Sequence, residues 1–425
     1  MIRKNVLLLP TFILAFFLGN PVYTTAQPVR SSNIAFVNGK WFDGRSFESQ
    51  TVYSVKNVFT LHKPSRIDTT VDLEGTFVVP PFAEAHNHNL GTGVEEWDRI
   101  AIQKYLADGV FYVKIQGNLP ISEEMKNHLL INKPNGVDAV FAQGSITATG
   151  GHPIFLVEKI LLPQGYYRGY TKETLRDFRY FTVDSEDELE KKWPQIVKTK
   201  PDFIKAFLWR SDEFKKFQHD STVLFKGLDP TLLPKIVNKA HSQKLRVSVH
   251  VIDAADFHNA ISAGVDEIAH LPRFISGVAD TPISVADAQI AAKRGVTVIT
   301  TVAAALFQGG AVKKDDLPLA RKYQAADLKL LFDNGVPLAI GSDDVTDNSV
   351  KEIFYLKDLG VFDNLTLIKM WSEATPKAIF PGRKIGALKE GYEASFLALE
   401  GNPIEDLNNV HKIKFRFKQG VLVNP

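Results

Sequence analysis

The chain of 425 residues contains no cysteine. That excludes disulfides and lipid-accepting thiols, and it leaves the burial of apolar side chains, 44% of the residues, to hold a sizeable core together. A large excess of either charge is also lacking, since the formal balance is +2. Near neutrality argues against nucleic acid or an anionic membrane surface as partner and in favour of a small molecule. Nor is there a long hydrophobic run. The apolar stretch from Val6 to about Leu18 is short for a membrane span and is interrupted by Pro10. Arg3 and Lys4 before it, and the small residues Thr24, Thr25 and Ala26 after it, give it the pattern of a secretory signal peptide over residues 1–26. The expectation is an exported protein, periplasmic or extracellular, with no stable membrane insertion after cleavage; the sequence leaves its oligomeric state open. Loss of that segment would remove Arg3 and Lys4 and bring the balance to zero. Repeats, low-complexity tracts and long linkers are absent. The GTG at Gly91 to Gly93 lacks the remaining spacing of a dinucleotide site.

The most informative segment present is FVVPPFAEAHNHN, in which His86 and His88 close an apolar strand-like run. A strand repeats every two residues, so both imidazoles leave one face and can converge on one metal ion. Three further strand-like runs end in potential ligands: RVSVHV in His250, DEIAHL in His270 and VPLAIGSDD in Asp343 followed by Asp344. Helical stretches precede them. Asp229 and Pro230 signal a start, and Gly264 and Gly335 signal stops. His250 and His270 are 20 residues apart, one tight βα unit, and His270 and Asp343 are 73 apart, room for two. In a parallel α/β barrel all strand C-termini open on one face, where these side chains would meet.

Lys205 stands inside DFIKAFLW, a run that otherwise reads as a buried strand. An unpaired ammonium there is costly, so the residue needs a partner such as Asp202, a route to the strand end, or a modification. Reaction of its amine with carbon dioxide gives a carboxylate able to bridge two cations.

With AHNH, DFIKAF, SVHV, AISAGVDEIAHL and AIGSD in this order, the sequence resembles the amidohydrolase superfamily. Its likeness is to members with a carboxylated lysine and two metals, the imidazolonepropionase-like and Xaa-Pro dipeptidase-like hydrolases. NGKWFDGRSFES and LKEGYEASFLALEGNPIEDL look like the opening and closing segments of that family, so the resemblance covers nearly the whole chain after residue 26. It implies that His86, His88 and Asp343 bind one metal, that His250 and His270 bind a second, and that carboxylated Lys205 bridges them. It further implies a bridging hydroxide as nucleophile, with Asp343 as proton carrier. Nitrogen and oxygen donors without sulfur suit zinc best, with manganese, cobalt or iron as alternatives. VVPP in place of Val-Pro-Gly, and Ser395 and Phe396 after Ala394, depart from the family pattern without touching a ligand.

The fold class expected is α/β, a (β/α)8 TIM-like barrel over residues 80–385. The short β-like runs of 33–79 and 386–423 would join in a small β-sandwich beside it. SEDELEKKWPQIVKTK reads as a helix with a solvated face. Candidate substrate contacts are His152 after the Gly150-Gly151 pair, which would polarise a carbonyl oxygen, Tyr166, Tyr167, Arg168 and Tyr170 in LPQGYYRGY, and Arg273, which would pair with a substrate carboxylate. The activity expected is hydrolysis of an amide-type C–N bond in a dipeptide, N-acyl amino acid or cyclic amide. A lactonase or esterase on the same site, and a non-catalytic barrel that only binds a small molecule, are the alternatives.

Overall fold

The computed structural model describes residues 33–217, 220, 225–276, 282–306 and 312–425. The expected signal peptide lies outside them. Among the described residues no helix is long and apolar enough to cross a membrane.

Five short strands open the chain: β1 (Ile34–Phe42), β2 (Phe47–Val55), β3 (Val58–Thr60), β4 (Thr69–Asp72) and β5 (Phe77–Val79). Three close it: β16 (Phe396–Leu399), β17 (Ile413–Lys418) and β18 (Val421–Leu422). The two flanks join, as β5 pairs antiparallel with β16. Their pairing links the two flanks in one mixed eight-stranded sheet. The reason lies in β1, which pairs parallel with β4 through its first half and with β5 through its second, across an irregularity between Phe36 and Gly39. Phe36, Trp41, Phe59, Phe396 and Phe417 fill its core in edge-to-face, tilted and stacked pairs, with ring centroids 4.9 to 6.3 Å apart. Such pairs contribute about 0.5–1.5 kcal/mol each beyond their buried area.

Between the flanks the chain alternates strand and helix. β6 (Phe82–Asn87), β7 (Val110–Ile115) and β8 (Asp138–Phe141) form one parallel sheet. A second parallel sheet contains β9 (Ser145–Thr147), β10 (Tyr180–Thr182), β11 (Phe203–Phe207), β12 (Arg246–His250), β13 (Glu267–Ile268), β14 (Thr297–Ile299) and β15 (Leu338–Ala339). Every residue of β6, β7 and β11 is buried, which is why these segments read as continuous apolar runs without alternation. Backbone bonds tie the two sheets together at both ends. Ala85 N–H donates to Ile340 O at 2.8 Å, and Asp202 N–H donates to Phe141 O at 2.8 Å.

The helices start and stop where the sequence signals them. Asp229 caps the turn Pro230–Leu232 that leads into the helix Leu233–Ser242, Asp253 caps Ala254–Ala263, and Gly264 ends the latter with φ +85°. The helix Glu186–Lys198 buries Leu189, Trp193 and Ile196 and leaves its acidic and basic face in water.

Candidate metal centre

The expected ligands come from five strands, Lys205 from the middle of β11 and the others at or just beyond strand ends. The Nε2 atoms of His86 and His88 lie 3.2 Å apart, and each is 3.3 Å from Asp343 Oδ1. His270 Nδ1 is 3.8 Å from Asp343 Oδ2. Its ring centroid is 4.3 Å from that of His86 and 4.5 Å from that of His250. His86, His270 and Asp343 form a group of the size that holds one metal ion, with ligand atoms within 4.8 Å of one another.

The outer nitrogens of the pair are fixed by backbone. His86 Nδ1 is 2.7 Å from Ala269 O, and His88 Nδ1 is 2.8 Å from Gly117 O. A carbonyl only accepts, so each Nδ1 carries the proton and donates it, which turns the Nε2 lone pair of each ring inward. Burial keeps the His86, His250 and His270 rings neutral and able to ligate. It pushes His86 down to about 4 despite the Asp343 carboxylate beside it, and it holds His250 and His270 well below their ordinary value. Burial opposes the charge of Asp343 as well, but its surroundings outweigh it and keep the carboxyl well below the usual carboxylate range, with the Arg273 guanidinium donating to Oδ2 at 2.7 Å.

Several buried donors and acceptors have no hydrogen-bond partner among the described residues: Lys205 Nζ, both ring nitrogens of His250, and His152 Nδ1. Orphaned groups of this kind are costly in a finished interior. Asp202, the alternative partner of Lys205, instead accepts from Phe141 N–H at 2.8 Å. Burial pushes the Lys205 amine down to about 7, against the pull of Asp343 and Glu267. The set of nitrogen and oxygen atoms facing one space, several of them without partners, fits divalent cations.

Local geometry holds this set in place through residues that the sequence reading passed over. Glu84 accepts from His86 N–H at 2.9 Å, from Ser342 N–H at 2.9 Å and from Ser342 Oγ–H at 2.7 Å, bracing β6 against the segment that carries Asp343. Burial pushes its carboxyl up to about 8 in spite of those bonds. Asn118 donates to His88 O at 2.6 Å. Asp343 itself has φ +52°, a conformation that aspartate adopts more readily than most residues, and its N–H donates to His86 O at 2.8 Å. The EAH spacing was the available signal for Glu84, because period two puts Glu84 on the face of His86.

The candidate substrate residues divide. His152 is half-buried with its ring 4.9 Å from that of His250 and 5.2 Å from that of Trp209, which lies flat over His250 at 5.6 Å. Burial and the Arg273 guanidinium push His152 down to about 3. Arg273 donates to Asp343 Oδ2 at 2.7 Å, inside the ligand cluster. The side chains of the LPQGYYRGY segment part ways. Tyr167 is buried in a separate apolar cluster with Leu119, Val157 and Leu175, and Tyr170 stacks on Phe178 at 5.7 Å. Tyr166 packs on Trp97 at 4.8 Å, and Arg168 sits over the same indole. Tyr166 thus lines a cavity of about 340 Å³ between the helix Glu95–Ala107 and the loop of Val345 to Asn348. Aromatic side chains beside a turn were satisfied by packing, which their spacing alone does not distinguish from ligand contact.

The amidohydrolase family model matches residues 198–423, more than half of the chain, and the chain belongs to that family. Ochratoxinase of Aspergillus niger is 28% identical over 205 residues, covering 44% of this chain and 39% of the relative. The chain thus spans about two fifths of the length of the curated relatives it matches. The solved structure of A. niger ochratoxinase superposes with a TM-score of 0.73 at 16% identity, covering 93% of this chain and 96% of that one. A Xaa-Pro dipeptidase with bound methionine gives 0.70 at 19% identity, covering 93% and 100%. At these identities the structural likeness is one of fold.

Proposed function

We propose that this protein is an exported, metal-dependent amidohydrolase that cleaves an amide-type C–N bond in a small molecule such as a dipeptide or N-acyl amino acid. The observation that carries the reading is the convergence of His86, His88, His270 and Asp343 with the unpartnered Lys205 amine and His250 ring. Ochratoxinase and the Xaa-Pro dipeptidase among the similar structures support hydrolysis of such bonds, and export rests on the pattern of residues 1–26.

The two parallel sheets, bonded to each other at both edges, are read as one (β/α)8 barrel in which β8 and β9 are the two halves of a strand interrupted at 142–144. His86, His88 and Asp343 would hold one divalent cation, His250 and His270 a second, with Lys205 as a carbamate between them; zinc suits these donors best. When bound, such cations lower the pKa of water and polarise a carbonyl.

The chain's own residues then have separate tasks. Asp343, kept ionised in the site, accepts a proton at Oδ and returns it to the leaving nitrogen. His152 is neutral and half-buried beside His250, so its ring N–H can donate to the scissile carbonyl oxygen. Arg273 offers its guanidinium to a free carboxylate of the substrate. The test is a matched panel of N-acyl amino acids, dipeptides and lactones given to the zinc-reconstituted protein. Turnover of amides with little lactone cleavage is expected, and turnover of lactones alone would overturn the assignment.

A further inference from the structure

Behind the ligands the parallel strands enclose two lysines and one carboxylate away from water. Lys114 on β7 is 3% exposed, and Lys205 on β11 and Glu267 on β13 are each 1% exposed. The register sets Lys205 opposite Ser248 and Ser248 opposite Glu267, so the three lie at one level of neighbouring strands. Lys205 and Glu267 thus stand two strands apart, about 10 Å between backbones, a gap that two side chains of their length can span.

In this structure the pairing is decided. Lys114 Nζ donates to both oxygens of Glu267, at 2.8 Å and 2.7 Å. Gln116 Nε2 adds a bond of 2.9 Å and Ser248 Oγ one of 2.7 Å, both to Oε1. Lys114 is held from its other side by the Phe203 ring, 4.1 Å from its centroid and two residues before Lys205 on the same strand. Lys114 thus engages both oxygens of Glu267, three accepted bonds falling on Oε1 and one on Oε2, while Lys205 Nζ has no hydrogen-bond partner among the described residues.

We propose that Lys114 is a positioning residue for the metal centre: by occupying Glu267 it keeps that carboxylate from pairing with Lys205 and leaves the Lys205 amine available to carbon dioxide. The inference rests on the reading of Lys205 as a carbamate. In that reaction the Nζ lone pair forms a bond to the carbon of carbon dioxide, one C=O electron pair moves to oxygen, and an N–H proton leaves to solvent. An ammonium locked to Glu267 has no lone pair to offer. A purely structural ion pair would instead fill the interior and have no bearing on Lys205.

Two substitutions of similar volume separate these roles. Wild type, Lys114→Met and the double variant Lys114→Met/Glu267→Gln are prepared with 13C-bicarbonate and zinc. Carbamate is read by 13C NMR, metal by elemental mass spectrometry and folding by circular dichroism. Lys114→Met frees Glu267 for Lys205, and a folded variant should carry about tenfold less carbamate and correspondingly less zinc. The double variant removes the competing carboxylate and should regain both. Wild-type carbamate in folded Lys114→Met overturns the inference. Should that variant not fold, a folded double variant without carbamate overturns it equally, because Lys205 there is as unpaired as in wild type. A wild-type protein that binds zinc but shows no carbamate signal overturns the reading of Lys205 itself.

Discussion

Gly341 lies against His86 so closely that a Cβ on it would fall 2.8 Å from the His86 Cβ, 2.8 Å from its backbone nitrogen and 2.6 Å from Ile299 Cγ2. The neighbouring atoms are backbone and short side-chain atoms, so they have little room to give. Gly341→Ala should push the end of β6 away from the Asp343 segment. Unfolding experiments are expected to show a loss of about 1–3 kcal/mol, and metal titration weaker binding. Unchanged metal affinity would mean that β6 and the Asp343 segment move together.

Asp343 and Lys205 should fail in different ways. Asp343→Asn keeps an oxygen ligand and is expected to retain much of the metal while kcat falls by about 10²- to 10⁴-fold. Lys205→Ala removes the proposed bridge and should lose metal before any rate is measured. Elemental analysis and kcat on the same preparations check both, and full metal with full rate in Lys205→Ala would end the carbamate reading.

Arg273 should matter only for substrates with a free carboxylate. Arg273→Met is expected to raise KM for N-acyl amino acids by about tenfold while leaving KM for the corresponding amides unchanged. A fall in kcat on every substrate would place the guanidinium in service of Asp343, to which it donates at 2.7 Å.

The pH dependence of stability should carry the mark of Glu352, whose carboxylate accepts from Val302 N–H at 2.9 Å and Ala303 N–H at 2.8 Å. Burial pushes its pKa from 4.5 up to about 7. Between those values the folded state binds more protons than the unfolded state, so this contribution is complete below about 4.5 and is lost as pH rises to about 7. Glu352→Gln should be less stable at low pH and should show a flatter decline of Tm over the same interval. A slope unchanged from wild type would mean that Glu352 titrates normally.

Tyr167 should behave as a core residue. Tyr167→Ala is expected to cost about 3–5 kcal/mol of stability with metal content unaltered in the folded fraction. Altered substrate preference with unaltered stability would return it to the site.

The side chains of the candidate site were legible because their signal is local. HxH on a strand needs only period two, and His250, His270 and Asp343 each end a strand whose preceding helix is marked by caps at Asp229, Gly264 and Gly335. Lys205 was legible as a contradiction, a charge in an apolar run. What escaped notice depends on contacts far apart in sequence: Glu84 with Ser342, Lys114 with Glu267, and Tyr167 with Leu119 and Val157. No periodicity reports which inward-facing charge meets which, or whether an aromatic beside a turn faces a ligand or a helix. The flank strands were legible as strands, but their union into one sheet depends on β1 pairing with both β4 and β5, which no turn signal encodes.

The central claim is that these six side chains hold a two-metal centre, and metal content tests it most directly. Elemental mass spectrometry of the purified folded protein, expressed with zinc and bicarbonate, should find about two equivalents per chain. A folded protein with near-zero metal that zinc cannot restore would contradict the account and leave a protein that binds its ligand without turning it over.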